Sequence, residues 1–150
     1  MSPFLFRLDR ILQLKEHEEE TRARLLANAR NVEEEKRDRL AAASERLEDA
    51  GNAAVPQPGT ALTAGAMANN RLPLDAAQRD VEASTAAHRE AQDRLTEEED
   101  RFGEARKDRR VLEKLREHSH DHWKLETDRQ EQGRIDEVAL AQRARKEKGS

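Results

Sequence analysis

Three histidines, His118, His120 and His122, are the residues whose type and spacing come closest to a chemical site in this sequence. His118 and His122 would lie one helical turn apart, a spacing at which two imidazoles can bind one zinc ion. A regular helix brings only two of the three together, and the chain has no cysteine to complete a ligand set. The pattern therefore favours a solvated polar face, with zinc binding kept as a hypothesis that titration can test.

No other group of residues suggests catalysis. The sequence has no nucleophile–base constellation, no glycine-rich phosphate loop and no recognisable pair of pocket carboxylates. Active sites depend on concave cavities that exclude water, and a narrow helical protein offers no obvious one. We therefore expect a protein that is not an enzyme and that binds no cofactor, metal or small-molecule substrate.

A basic stretch between residues 106 and 116 is the strongest local concentration of charge. Its six bases, against Asp108 and Glu113, are Arg106, Lys107, Arg109, Arg110, Lys114 and Arg116. Pairing with acids at residues 16–20 of a facing helix is the favoured interpretation, and docking onto an acidic protein surface is the alternative. Nucleic-acid binding is not expected, because the net charge is −4 and no aromatic residues interleave the bases.

The composition decides which fold can position these residues. Charged residues make up 40% of the 150 residues and aromatic residues only 3%, too few large apolar side chains for a compact core. The 28 bases and 32 acids nearly cancel, and Ala, Glu, Arg and Leu are abundant, so a coiled coil is favoured over disorder. No run of about 20 apolar residues could span a bilayer, and no signal peptide is recognisable. We expect a cytoplasmic protein.

The chain divides into two predicted helices and a break. The first helix is predicted over residues 4–50, after the start signal Ser2-Pro3, and the second over residues 74–145, followed by a tail at residues 146–150. The break over residues 51–73 is rich in turn-forming residues. These are Gly51, Pro56, Pro58, Gly59, Gly65 and Pro73. The sequence therefore predicts one all-α domain, an antiparallel two-helix coiled-coil hairpin whose second helix is longer.

Spacings of four and three residues define an apolar seam on each predicted helix. The seam of the first helix consists of residues 4, 8, 11, 15, 18, 22, 25, 29, 32, 36, 39, 43, 47 and 50, with three consecutive polar interruptions at Lys15, Glu18 and Arg22. The seam of the second helix consists of residues 74, 77, 81, 84, 88, 91, 95, 98, 102, 105, 109, 112, 116, 119 and 123. Such polar interruptions usually fix the register of a coiled coil.

The difference in helix length leaves the C-terminal end without a partner helix. At 1.5 Å per residue the helices are about 70 Å and about 108 Å long, so a compact turn pairs Phe4 with residues near 120. Trp123, Leu125, Ile135 and Val138 then lie beyond the first helix. The sequence leaves two hypotheses open for Trp123: it anchors a partner, or it forms a terminal cluster with Phe4 and Phe6.

Four segments resemble the flagellar export protein FliJ family. They are FLFRLDRILQLK at residues 4–15 followed by Glu18 and Glu19, LTAG at residues 62–65, KDRRVLEKLRE at residues 107–117, and EQ and DE at residues 131–132 and 136–137. Coiled coils share composition easily, so the order, the spacing and the total length carry the resemblance. It covers nearly the whole chain.

This resemblance implies a non-catalytic stalk or adaptor of the flagellar type III export apparatus. Proteins of the family are similar to the central stalk of rotary ATPases. They bind the hexameric export ATPase, promote its ring assembly and activity, and contact the export gate membrane protein. Some escort export chaperones. The implied location is the cytoplasm, with peripheral association at the inner membrane.

The family assigns the two contacts to different parts of the hairpin. The ATPase contact is attributed to the terminal regions together, and the gate contact to the other part. The ATPase-binding candidates are Phe4, Phe6, Leu8, Ile11, Arg109, Arg110, Leu112, Leu115, Trp123 and Leu125. The gate-binding candidates are Ala77, Val81, Ser84 and His88, of which only His88 is similar in type to the family's residues.

Two alternative functions remain open at the level of sequence. One is a general structural scaffold, such as a homodimeric coiled coil. The other is the equivalent stalk of a virulence type III secretion system, although the opening around Phe6-Arg7-Leu8 favours the flagellar branch.

Overall fold

A computed structural model describes residues 2–59 and 63–149. Two helices account for most of them: α1 spans Asp9–Ala54 and α2 spans Ala64–Lys148. The described residues contain no β-strand, and the two helices pack against each other as a hairpin. The prediction of an all-α hairpin with a longer second helix is confirmed. Residues 60–62 of the predicted break, which include Leu62 of the LTAG segment, lie outside the described residues.

Helix α1 begins at Asp9, five residues after the predicted start. The backbone N–H of Asp9 donates to the Phe6 carbonyl in a turn, and the bond from Leu12 N–H to the Leu8 carbonyl opens the helix. Asp9 places a negative charge in the first turn, where the helix dipole favours it. Phe4 is partly buried outside the helix, so aromatic packing holds this segment in place of helical hydrogen bonds. At its other end, α1 continues through Gly51 to Ala54.

Helix α2 begins within the predicted break. The Thr63 hydroxyl accepts a hydrogen bond from the Ala66 N–H at 3.1 Å, which caps the helix N-terminus. The helix then runs through Pro73, although Pro lacks the N–H that would bond to the carbonyl of Asn69. The turn between the helices contains Gly59 at a φ of 89°, a conformation that glycine adopts without strain. The non-helical break is therefore much shorter than predicted. Helix α2 also extends past residue 145 to Lys148.

The seam of α1 agrees with the predicted one at residues 8, 15, 22, 29, 36, 43, 47 and 50 and differs from it at five positions between them. Leu12 is 3% exposed and Ile11 45%, and Leu26 is 6% exposed and Leu25 42%. The partly or fully buried positions at seam spacing are residues 8, 12, 15, 19, 22, 26, 29, 33, 36, 40, 43, 47 and 50, and residues 9, 42, 51 and 54 are also partly buried. The predicted seam positions 11, 18, 25, 32 and 39 are wrong by one residue each. The next residue, a leucine, lies on the seam at residues 12, 26 and 40, and charged residues with partners on α2, Glu19 and Glu33, take the seam at the other two places. On α2 the predicted positions from 74 to 112 are confirmed, whereas residues 116 and 119 are exposed.

The chain forms two compact units. The terminal unit consists of Met1–Glu19 and Ala105–Ser150, and the central unit of Glu20–Glu104. The buried apolar residues are Leu12 and Ala105 in the terminal unit and Leu26, Ala29, Ala43 and Ala91 in the central unit. None of the helices in the described part of the chain has the apolar length that a membrane span requires.

Candidate partner-binding surfaces

An aromatic cluster holds the N-terminal segment against α2 in the terminal unit. The ring of Phe4 meets that of His120 edge-on, with centroids 5.0 Å apart, and lies 5.9 Å from the centroid of Trp123. The rings of His120 and Trp123 are 5.7 Å apart. The predicted pairing of Phe4 with residues near 120 is therefore confirmed. Of the two hypotheses for Trp123, the structure agrees with the terminal cluster, in which Trp123 packs against Phe4. Phe6 is partly buried but makes no ring contact with Trp123.

A shallow groove lies beside this cluster. It has a volume of about 580 Å³. Its walls are Phe4, Glu113, Arg116, Glu117, His120 and Asp121. The rings of Phe4 and His120 beside charges of both signs are typical of a protein-contact surface and unlike an enclosed pocket for a small molecule.

Arg109 links the two helices of the terminal unit. Its Nε donates to Glu19 Oε2 at 2.5 Å and its Nη2 to Glu19 Oε1 at 3.2 Å, and Nη1 donates to Glu113. The hydrogen bond from Arg109 is the main cause that lowers the pKa of the Glu19 carboxyl below its ordinary value. Both side chains are about four-fifths buried. The predicted pairing of the basic stretch with residues 16–20 is thus confirmed at Glu19.

Arg109 and Arg110 therefore differ in what they can offer a partner. The guanidinium of Arg109 is occupied by two carboxylates, whereas Arg110 is exposed. Leu8 and Leu112 are partly buried seam residues, while Ile11, Leu115 and Leu125 are exposed. All ten ATPase-binding candidates lie in the terminal unit, which brings the N-terminal segment together with residues 105–125.

The C-terminal part of α2 is exposed throughout. Every described residue from 128 to 149 is exposed, including the large apolar residues Ile135, Val138 and Leu140. Glu131, Arg134, Ile135 and Val138 line a shallow depression of about 300 Å³. This helical segment thus presents apolar side chains that no residue of the described chain covers.

The four gate-binding candidates lie on the α2 seam of the central unit. Ala77, Val81, Ser84 and His88 are all partly buried. His88 Nε2 lies 3.0 Å from Glu33 Oε1, and Arg37 donates to the other oxygen of Glu33 at 2.6 Å. Both hydrogen bonds lower the pKa of the Glu33 carboxyl below its ordinary value, and the bond from Arg37 has the larger effect. The side chain of His88 is therefore held within the hairpin.

A cavity of about 440 Å³ opens beside the four gate-binding candidates, and Ser84 is the one of the four that lines it. Its other walls are Lys36, Arg39, Ala42, Arg46, Asp80, Ala83 and Ala87. Arg46 and Asp80 form an ion pair at 3.4 Å on its wall. A partner that binds the gate-binding candidates would have to reach them through this cavity.

Two buried carboxylates in the central unit are further features of the seam. Glu98, a predicted seam position, is 8% exposed, and its Oε2 has no hydrogen-bond partner in the described chain, with Arg22 at 4.0 Å. Glu33, which holds His88, was missed because the predicted register placed Val32 on the seam. The spacing of Glu33 and Arg37, one turn apart, was the available signal.

The histidine run takes part in packing at one position. Within residues 2–59 and 63–149, no group of three His, Cys, Asp or Glu side chains is arranged to hold a metal ion. His120 contacts the rings of both Phe4 and Trp123, and His118 and His122 are exposed.

A family model matches nearly all of this chain. The model of the flagellar FliJ protein covers residues 4–148, from the aromatic cluster at Phe4 to the last residue of α2. The chain matches no curated protein and no solved structure. Because the match includes both helices, the break and both ends of the terminal unit, the chain belongs to the flagellar FliJ protein family, whose role is a non-catalytic one in flagellar protein export.

Proposed function

We propose that this protein is a stalk of the flagellar export apparatus that binds two partners. Its terminal unit binds the hexameric export ATPase, promoting ring assembly and activity, and its central unit binds the export gate membrane protein. The observation that carries the proposal is the cluster of Phe4, His120 and Trp123, which joins the two chain segments to which the family's ATPase contact is attributed. The cellular site would be the export apparatus at the inner membrane.

The surface of the terminal unit supports an ATPase contact. Ile11, Leu14, Leu115 and Leu125 are exposed, and Arg10 and Arg116 adjoin Ile11 and Leu115 in the sequence. Apolar anchors with arginine are common at the energetic centres of protein interfaces. The C-terminal segment adds Ile135 and Val138 to this exposed apolar surface.

A stalk without a catalytic site would act through binding alone. It raises the activity of an ATPase only if it binds the active conformation more tightly than the inactive one. A tenfold preference corresponds to about 1.4 kcal/mol, which one or two well-packed anchors can supply. The same preference for assembled subunits would promote ring formation.

The ATPase contact can be tested with Leu115→Asp and Leu125→Asp, two changes at exposed positions. We expect each to weaken binding of the purified export ATPase by about tenfold or more and to reduce its stimulation. Leu72→Asp, at an exposed position of the central unit, is the matched control and should bind as the unchanged protein does. If all three variants bind equally well, the terminal unit is not the docking surface.

The gate contact is best tested from the cavity, because a charge on the seam would also weaken the hairpin. Ala83 is exposed and lines the cavity, so Ala83→Trp would fill it while leaving Ala77 and Val81 in place. We expect this variant to lose gate binding and to retain ATPase binding. Ala86→Trp, an exposed position outside the cavity wall, is the control. Loss of ATPase binding with retained gate binding would reverse the assignment of the two units.

A further inference from the structure

The cavity of about 440 Å³ beside the gate-binding candidates has an excess of positive charge in its walls. Lys36, Arg39 and Arg46 line it from α1, and Asp80 is the one acid among the described residues that line it. The groove beside Phe4 has the opposite balance, with three acids against one arginine. We call the cavity in the central unit the basic cavity.

Lys36 is the base of the basic cavity that has no direct partner. It is partly buried and forms no ion pair or hydrogen bond with another described residue. The carboxylate one helical turn before it belongs to Glu33, whose two oxygens are bound by Arg37 and His88. The three N–H donors of the Lys36 ammonium group are therefore available to a ligand.

Arg39 and Arg46 each have one carboxylate partner and further donors. Arg39 Nη2 lies 3.2 Å from Glu35 Oε1, and Arg46 Nη1 lies 3.4 Å from Asp80 Oδ2. A guanidinium group has five N–H donors, so each arginine keeps donors that these single contacts do not use. Both side chains are more than half exposed, so their guanidinium groups can turn toward the cavity without disturbing the packing of the seam.

Ser84 adds a hydroxyl group from the facing helix. It lines the basic cavity from α2, is partly buried, and forms no hydrogen bond with another described residue. The remaining lining residues, Ala42, Ala83 and Ala87, have only a methyl group as side chain and leave the space between the helices open. Donors from both helices thus border one cavity whose own walls supply a single carboxylate.

We propose that the basic cavity binds a phosphate group, as the free ion or as part of a small molecule. A phosphate group carries a charge of about −1.5 to −2 at neutral pH and several strong acceptor oxygens. It can therefore accept hydrogen bonds from a lysine, an arginine and a hydroxyl group at once, and such charge-assisted hydrogen bonds are the stronger kind. The inference does not depend on the function proposed above, because the protein alone would bind the ligand.

The surroundings of the basic cavity favour a small anion over a polyanion. Asp49 and Glu90 lie one helical turn from Arg46 and Ala87, outside the walls. These carboxylates would repel a chain of phosphates, or a surface of anionic lipid, that extended beyond the cavity. A nucleic acid would also need more phosphate contacts than three bases provide. A single phosphate group meets the bases and avoids the acids.

The test is a titration of the isotope-labelled full chain with inorganic phosphate, followed by NMR at constant ionic strength maintained with chloride. A parallel titration with glycerol phosphate distinguishes a phosphate group on an organic molecule from the free ion. Lys36→Gln removes the base that has no partner. Arg30→Gln is the matched control, because Arg30 is an exposed base of the central unit that forms no ion pair with a described residue.

We expect phosphate to shift the amide signals of residues 36–46 and 80–87 and to bind with a dissociation constant on the order of 1–10 mM. Lys36→Gln should weaken binding by about tenfold, whereas Arg30→Gln should stay within about twofold of the unchanged protein. Ala83→Trp, which fills the cavity and leaves all three bases in place, should also abolish binding. Circular dichroism checks that the variants keep their helicity.

Three results would overturn the inference. One is the absence of shifts at residues 36–46 and 80–87 at phosphate concentrations well above the expected dissociation constant. Another is an equal loss of affinity in Lys36→Gln and Arg30→Gln, which would show attraction by the general charge of the surface. The third is an equal shift of the same signals by chloride alone. Binding of either phosphate compound at the cavity supports the inference, and the one that binds more tightly identifies the source of the group.

Discussion

Single residues decide where the helices of this protein meet. At residues 25 and 26 two leucines are adjacent, and only Leu26 enters the seam. At residues 32 and 33, Val32 is exposed and Glu33 is buried, because hydrogen bonds to His88 and Arg37 satisfy the Glu33 carboxylate. A buried carboxylate is tolerated when it is paired in this way. The sequence could not predict this choice, since hydrophobicity alone ranks Val32 above Glu33.

The adjacent leucines give a direct test of the register. Leu26→Ala should lower the free energy of unfolding by about 2 kcal/mol or more, because it removes a buried side chain and leaves a cavity. Leu25→Ala, at the exposed neighbour, should cost under about 1 kcal/mol. Urea denaturation followed by circular dichroism measures both. A larger loss for Leu25→Ala would restore the register predicted from the sequence.

The ion pair of Glu19 with Arg109 predicts a dependence of stability on pH. Because the pKa of folded Glu19 lies below its ordinary value of 4.5, its ionised form stabilises the fold. That contribution is complete above about pH 5 and is lost as the pH falls through the folded pKa. We therefore expect Glu19→Gln to melt at a lower temperature than the unchanged protein at neutral pH, with the gap closing as the pH falls below the ordinary pKa of 4.5 and through the folded one.

The matched control for this measurement is Glu20→Gln. Glu20 is exposed and forms no ion pair with a described residue, so its substitution should leave the melting temperature nearly unchanged at every pH. Equal melting curves for Glu19→Gln and the unchanged protein at neutral pH would show that the pair with Arg109 contributes nothing to the fold.

At the scale of the helices, the sequence predicted that two helices exist and in which order, but it predicted their first and last residues less well. Two helices, the longer second one and the pairing of Phe4 with residues near 120 all followed from periodicity and length. The first residues of the helices did not follow from the sequence. They depend on the aromatic packing of Phe4 and on the cap at Thr63, and hydrophobic periodicity does not identify the neighbours that form these contacts. Pro73 was interpreted as the end of a loop, yet it lies inside α2.

Glycines inside and outside the helices should respond to alanine in opposite ways. At Gly103, in α2, an added Cβ would meet nothing within 4 Å, so Gly103→Ala should stabilise the protein by about 0.5–1 kcal/mol. Gly59→Ala should destabilise it by about 1 kcal/mol, because the φ of 89° strains a side chain. Thermal melts of the two variants are the measurement. Stabilisation by both would contradict the turn conformation of Gly59.

At the scale of the whole molecule, the two compact units divide the candidate residues between them. The ten ATPase-binding candidates lie in the terminal unit and the four gate-binding candidates in the central unit. The sequence predicted one coiled coil without this division, which arises from burial and contact and not from composition.

The exposed C-terminal segment should behave differently from both seams in solution. Residues 130–148 bury no side chain, and a helix without tertiary contacts opens readily. We expect their amides to exchange with deuterium much faster than those of residues 88–112, as measured by mass spectrometry of peptides. Addition of the export ATPase should slow the exchange if the segment is part of the docking surface. Strong protection in the free protein would instead reveal an unseen partner, which sedimentation would identify as a second copy.

In the part of the chain that the structure describes, four of the six buried apolar residues are alanines, and this sets the response of the protein to temperature. The heat capacity of unfolding comes mainly from apolar surface newly exposed to water, about 12–15 cal/mol/K per residue in ordinary globular domains. With so little apolar area to expose, calorimetry should give a clearly smaller value here. The stability curve would then have little curvature, so that stability falls almost linearly on warming and is not lost on cooling. Such a protein would keep its helices paired in the cold, where domains with large apolar cores lose part of their stability.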